Sequence, residues 1–101
     1  MMEAEKVKKR DFLVEFCTHE ENLSGLRCGK SKGLGIYAMV PTVENVRKAV
    51  KDFLPEREID ESEMILTEQI HDSLEYGFFS VDLKVPDNPD FYCESLSFME
   101  V

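Results

Sequence analysis

The sequence has no apolar stretch long enough to cross a bilayer. Its longest apolar runs, Ile36 to Pro41 and the pair Phe78–Phe79, fall far short of the ~20 residues a spanning helix needs. Met1 to Arg10 is rich in Glu and Lys and lacks the apolar centre of a secretion signal. A cytoplasmic chain with no membrane partner is therefore expected. Cysteine is scarce as well. Cys17, Cys28 and Cys93 are odd in number, which argues against a disulfide framework and for free, partly buried thiols. They also lack the paired close spacing of a zinc site, since Cys17-x-His19 is too tight and no second pair exists. Neither a metal nor a cofactor is expected.

Basic residues are nearly missing from one half. Residues 55–101 hold only Arg57 and Lys84 against thirteen acidic groups, a balance of −11, whereas residues 1–54 carry ten basic and eight acidic groups, a balance of +2. This polarity disfavours direct nucleic-acid binding through the C-terminal half and favours a partner with a basic surface. With 43% apolar and 33% charged residues in 101, the composition is that of one globular domain spanning 1–101, not of a disordered segment.

Secondary structure follows from periodicity. Asp11 to Cys17 alternates with period two and reads as a strand. His19 to Gly35 holds four of the five glycines and reads as a long, basic loop. Ile36 to Val40 reads as a short buried strand. Thr42 is a good helix N-cap, and Val43, Val46, Val50, Phe53 and Leu54 recur at helical spacing until Pro55 ends the helix. Met64 to Tyr76 is compatible with helix or strand. Its length favours a helix that opens on Asp60 and Glu63 as a capping box and buries Ile65, Leu66, Ile70 and Leu74. Gly77 to Val85 and Phe91 to Val101 read as strands of an antiparallel hairpin turning at Pro86 to Asp90. The expected fold is α+β: a small antiparallel sheet of about four strands packed by one or two helices.

Catalytic motifs fail on spacing. Gly25 to Ser31 approaches a phosphate-binding loop but is one residue short, and it leads into a strand where a helix N-terminus is needed. Ser31 to Ala38 resembles the opening of SET-domain lysine methyltransferases. That family's Asn-His pair has no counterpart here, and too little chain follows Gly35 for the rest of its fold, so no family is assigned. His71-Asp72-Ser73 places triad residue types side by side, whereas triad members converge from separate segments. Met99-Glu100-Val101 has the form of a tail captured by strand addition.

Two functional readings remain. The first is a small acidic regulator or inhibitor, of the kind represented by immunity proteins and phage antagonists of host defence. It would dock Glu56, Glu58, Asp60, Glu61, Glu63, Glu68, Asp72 and Glu75 on a basic protein partner, or imitate nucleic acid there. The second is an anion-binding domain or enzyme in which loop 19–35 closes on a small ligand. Arg27, Lys30 and Lys32 would be the counter-charges and Cys17 or His19 would supply any chemistry. No catalytic residue is assigned, and self-association into a homodimer is left open.

Overall fold

The computed structural model describes residues 8–21, 27–85 and 92–101. They form β1 (Arg10–Glu21), β2 (Arg27–Met39), α1 (Val43–Phe53), α2 (Glu63–Tyr76), β3 (Phe78–Leu83) and β4 (Tyr92–Glu100). The four strands make one sheet in the order β2-β1-β4-β3, every neighbouring pair antiparallel. Two hairpins are thus joined through a pair of helices, which lie on one face of the sheet. This is the small α+β arrangement that the pattern of elements implies. No described helix is long and apolar enough to cross a membrane.

The core lies between the helices and the inner sheet face. Phe12 and Val14 of β1, Phe79, Val81 and Leu83 of β3, and Leu96 and Phe98 of β4 point into it. Val46, Ala49 and Val50 of α1 and Leu66 and Ile70 of α2 meet them. Three phenylalanines from three strands anchor the contact. The Phe79 and Phe98 rings stack with centroids 4.7 Å apart, and Phe12 meets each of them edge-on at 5.9 and 6.2 Å. Both are favoured geometries for aromatic quadrupoles.

The helices begin where side chains can cap them. Thr42 accepts from the Asn45 amide at 3.1 Å, as its position before the valine repeat implies. The second helix is capped by Ser62, which accepts from Ile65 N at 3.3 Å; Asp60 lies upstream and makes no capping box. Leu66 and Ile70 are buried as expected, but Ile65 is exposed and Ser73 takes the third inward position. Residues 66, 70 and 73 fall on one narrow stripe, and 65 lies about a quarter-turn away from it. Ser73 satisfies its hydroxyl by donating to Ile70 O at 2.7 Å, which makes its burial tolerable. Gly77 ends α2 in the left-handed region at φ 72° and donates to Ser73 O, a conformation that glycine alone takes without cost.

The long loop expected at 19–35 is corrected. Strand β1 runs on to Glu21 and β2 begins at Arg27, pairing from Glu21↔Arg27 to Arg10↔Met39; only 22–26 stand outside these strands, and they lie outside the described residues. Glycine weakens a strand but does not forbid one, and here β1 supplies the ladder. The register shifts between Val14 and Glu15, opposite Gly33 and Gly35, so Leu34 is an extra residue. Gly35 sits at this bulge with φ 109°. The bulge exchanges the faces of β2. Lys30 and Lys32 share the inner side with Leu34, and beyond the bulge Tyr37 and Met39 take that side while Ile36 turns outward. Ile36–Val40 is therefore not a buried strand, because Met39 is buried and Ile36 is exposed.

The two sheet edges differ. Beside β3, Asp60 N donates to Asp82 O and Lys84 N to Glu58 O, both at 2.8 Å, and Ile59 bridges Leu83. On the outer side of β2 no described strand pairs. Exposed lysines are a common way to keep such an edge from aggregating.

Phe98→Ala is expected to cost ~3–5 kcal/mol, because it empties a fully buried ring site. Phe53 is only partly buried, tilted against Tyr37 at 5.4 Å. Phe53→Ala is expected to cost about 1–3 kcal/mol. Urea unfolding of both variants measures the difference; equal losses would mean that the α1–β2 contact is as deep as the central cluster.

Candidate protein-binding surface

The acidic residues are brought partly together. Glu68, Asp72 and Glu75 recur every three or four residues along α2, opposite the stripe of Leu66, Ile70 and Ser73, and all three are exposed. Glu63 stands exposed in the first turn, where the helix dipole favours a negative charge. No lysine or arginine occurs in α2. None of these four carboxylates forms a salt bridge among the described residues. Glu75 near the C-terminal end meets the unfavourable end of the dipole, so the stripe is not arranged for helix stability.

The connector between the helices is less uniform. Glu56, Glu58 and Asp60 are exposed. Glu58 lies 3.9 Å from Lys51 and 3.8 Å from Lys84, exposed pairs that hold little energy but offset its charge. Glu61 is no surface carboxylate. Its Oε1 accepts from Asp82 N at 2.9 Å and caps the β3 edge, while its Oε2 is buried without a partner.

Sequence reading missed the apolar part of this surface. Met64 is 70% exposed and Tyr76 74% exposed, with Ile65 beside them. By helical spacing these three lie on the outward half of α2, bordering the carboxylate stripe. Ile65 was read as buried and the other two were not placed; their angle to Leu66 and Ile70 is the signal that sets all three outward.

The sheet order turns the charge asymmetry of the sequence into one of space. One edge is β2, with Arg27, Lys30 and Lys32 and no acidic residue. At the other edge α2 packs over β3, beside the acidic connector. Lys30 and Lys32 are exposed on an extended strand and line none of the described clefts. The cleft of about 290 Å³ beside Phe16, Phe53 and Arg57 and the one of about 200 Å³ between Val43 and Leu74 are bordered by other residues. Cys17 and His19 share the outer sheet face, two residues apart. The His19 ring lies over Gly29, where a Cβ would meet its Nδ1 at 3.2 Å. No group of three His, Cys, Asp or Glu able to hold a metal occurs among the described residues. His71 stands on α2, in the opposite layer from His19. The C-terminal tail is held in the sheet: Met99 and Glu100 belong to β4 and Val101 N donates to Asp11 O.

One buried carboxylate remains. Glu94 of β4 is 4% exposed. Arg57 grips it through Nε at 2.6 Å and a second nitrogen at 3.4 Å, and the Tyr92 hydroxyl donates to it at 2.8 Å. Burial pushes the Glu94 pKa up, but the bonds from Arg57 and Tyr92 outweigh burial and hold it below the ordinary carboxylate value. The same contacts raise the Arg57 and Tyr92 values. This group ties the helix connector to the sheet, and the partners of Glu94 within it are internal, with Arg57 also bordering the cleft beside Phe16 and Phe53.

A carboxylate with a depressed folded pKa stabilises fully above its unfolded value of ~4.3 and loses that contribution as pH falls through the folded value. Wild-type stability should therefore drop on acidification below about pH 4 more steeply than that of Glu94→Gln. At pH 7 Glu94→Gln should cost about 2–3 kcal/mol, since it leaves Arg57 without its charge partner. Urea titrations at the two pH values measure both effects, and equal pH slopes would contradict them.

No protein-family model, no curated protein and no solved structure matches this chain.

Proposed function

We propose that the chain is a small acidic regulator or inhibitor that docks the outward face of α2 on a basic surface of a protein partner. The observation that carries this reading is the make-up of that face. Glu68, Asp72 and Glu75 are exposed on a helix without a single lysine or arginine, next to exposed Met64 and Tyr76. Such a stripe repels itself and costs stability in the free chain. A cationic partner would relieve the repulsion and be steered to the site at a salt-dependent rate. The apolar side chains would supply the desolvated contacts that hold most interfaces together, with the carboxylates as a polar rim. Immunity proteins and phage antagonists of host defence work in this general way. A partner that ordinarily grips nucleic acid would meet the stripe as a mimic of it; the chain itself would not bind nucleic acid.

The reversal Glu68→Lys, Asp72→Lys, Glu75→Lys tests this directly. It leaves out Glu61, whose loss would uncap β3. The variant should keep its circular dichroism spectrum and melt at the same temperature or slightly higher. A partner captured from the native host on the wild-type chain, then purified, should bind the variant at least about tenfold more weakly at physiological salt. Its affinity for wild type should fall as salt rises. Unchanged affinity in the variant would reject the acidic-face mechanism.

A further inference from the structure

The sheet face turned away from the helices has an unusual composition. An antiparallel sheet with one solvated face normally carries polar and charged side chains there. Here the register builds an apolar ridge. Leu13 of β1 pairs with Ile36 of β2 on one side and with Met99 of β4 on the other, and Met99 pairs with Phe78 of β3. The four side chains therefore form one row across all four strands. Ile36 is 57% exposed, Phe78 49% and Met99 44%. Val101, tied to β1 through its amide, is exposed just beyond.

The neighbouring rows are made mostly of small residues. Gly33, Ser97 and Ser80 flank Glu15 in the next one, and Ser31, Cys17, Ser95 and Asp82 follow. A ridge thus stands beside a shallow trough. Along the outward strand positions the charges are Asp11, Glu15 and Asp82, with the Glu21↔Arg27 pair at the far end of the β1–β2 hairpin. No described element covers this face.

We propose that this face is the seam of an isologous homodimer, in which a second copy lays the ridge of Leu13, Ile36, Met99 and Phe78 against the same face across a two-fold axis. Three arguments select a second copy. The first is area. The ridge and Val101 leave roughly 400 Å² of apolar surface outside, the size of patch that soluble monomers reserve for a function. The whole four-stranded face, roughly 20 by 30 Å or about 600 Å², is somewhat below the ~800 Å² per partner of a standard interface and matches a weak one. The second is shape. Ridge and trough run side by side, so a two-fold sets the ridge of each copy into the trough of the other, and sheets pack in this way at ~10 Å separation. The third is charge. A chain with net charge −9 repels its copies, and the least repulsive approach is the one that keeps the acidic helices farthest apart. Sheet-to-sheet contact does this, because α2 lies in the opposite layer. The resulting helix–sheet–sheet–helix assembly leaves both α2 faces open. The inference is independent of what those faces bind.

The test is the solution mass of the full chain, by light scattering and sedimentation from about 1 to 100 µM, the weak end of the range for interfaces of this size. Reducing agent is present so that the outward Cys17 and Cys93 cannot mimic the dimer by cross-linking. The wild-type chain should show twice its 11.7 kDa. Ile36→Lys with Met99→Lys should be a folded monomer, with dissociation at least about a hundredfold easier. Met64→Lys with Tyr76→Lys makes the same change of charge on α2 and should remain dimeric. If the first variant misfolds, amide hydrogen exchange of the wild type along the dilution series replaces it. Protection should then fall with dilution at Leu13, Ile36 and Met99 but not along α2. A wild type monomeric throughout, a dimer that survives Ile36→Lys with Met99→Lys, dilution-independent protection, or a dimer lost only in the α2 variant would overturn the proposal.

Discussion

The fold rests on the pairing of its first strand with its last. Strands β1 and β4 lie side by side at the centre of the sheet, in register from Phe12↔Glu100 to Glu20↔Tyr92. Arg10 adds a bond to Glu100 at 3.2 Å. Neither hairpin alone assembles the three phenylalanines: Phe12 arrives on one, Phe79 and Phe98 on the other. Before that pairing forms, each hairpin has an apolar face and nothing to bury it against. A two-stranded ribbon is marginal in water, and the long sequence separation makes its closure entropically expensive. Once the two hairpins join, the helices have one continuous apolar surface to cover, and the connector between them is drawn along the β3 edge. Arg57 then reaches Glu94, so the same pairing creates the site for the ion pair that holds this buried carboxylate.

That central pairing also decides where the charges go. With β1 and β4 in the middle, β2 and β3 must be the edges. The basic strand and the acidic connector with its helix therefore end on opposite sides of the sheet. A different strand order would have mixed them. Covering only one face follows from the same economy: eleven and fourteen helical residues suffice for one side of four strands, and the other side stays open. The outward residues should then be hydrophilic, and in the small rows they are. The exception is a single apolar row at one end, which local stability does not require.

Much of this was legible in the sequence, and what was not has definite causes. The first helix showed itself through Thr42, a valine repeat and Pro55, all local signals. The last hairpin showed itself through strict alternation in Phe79 to Val85. Strand β2 did not, because its residues are held by a partner strand and by no periodicity of their own; Gly29, Gly33 and Gly35 pointed to a loop while β1 supplied the hydrogen bonds. The bulge at Leu34 was equally hidden, and with it the outward turn of Ile36. Of the acidic candidates, Glu68, Asp72 and Glu75 were placed correctly by helical spacing. Glu61 was not, since its bond to the Asp82 amide depends on a contact between segments far apart in sequence. Met64, Ile65 and Tyr76 were missed because hydrophobicity alone does not say which way a helix residue points.

The residues that sequence reasoning misplaced or left unplaced fall mostly in two places, and this bears on function. Ile36 belongs to the outer sheet face; Met64, Ile65 and Tyr76 belong to the outward side of α2. In each case an apolar residue stands where consistency between local preference and global fold calls for a polar one. Sequences that fold well show few such conflicts, and the ones they keep tend to mark surfaces used for something other than folding. The two surfaces differ in the company their apolar residues keep. Those on α2 are bordered by unpaired carboxylates, which suits a cationic partner and repels a second copy. Those on the sheet are bordered mostly by serine, glycine and cysteine, with few charges among them, which suits a flat and self-complementary contact. Because the sheet separates the two surfaces, occupying one leaves the other accessible. Under the two proposals the chain would join to itself on one side and present α2 on the other, and the strand order set by β1 and β4 would keep those two contacts from competing.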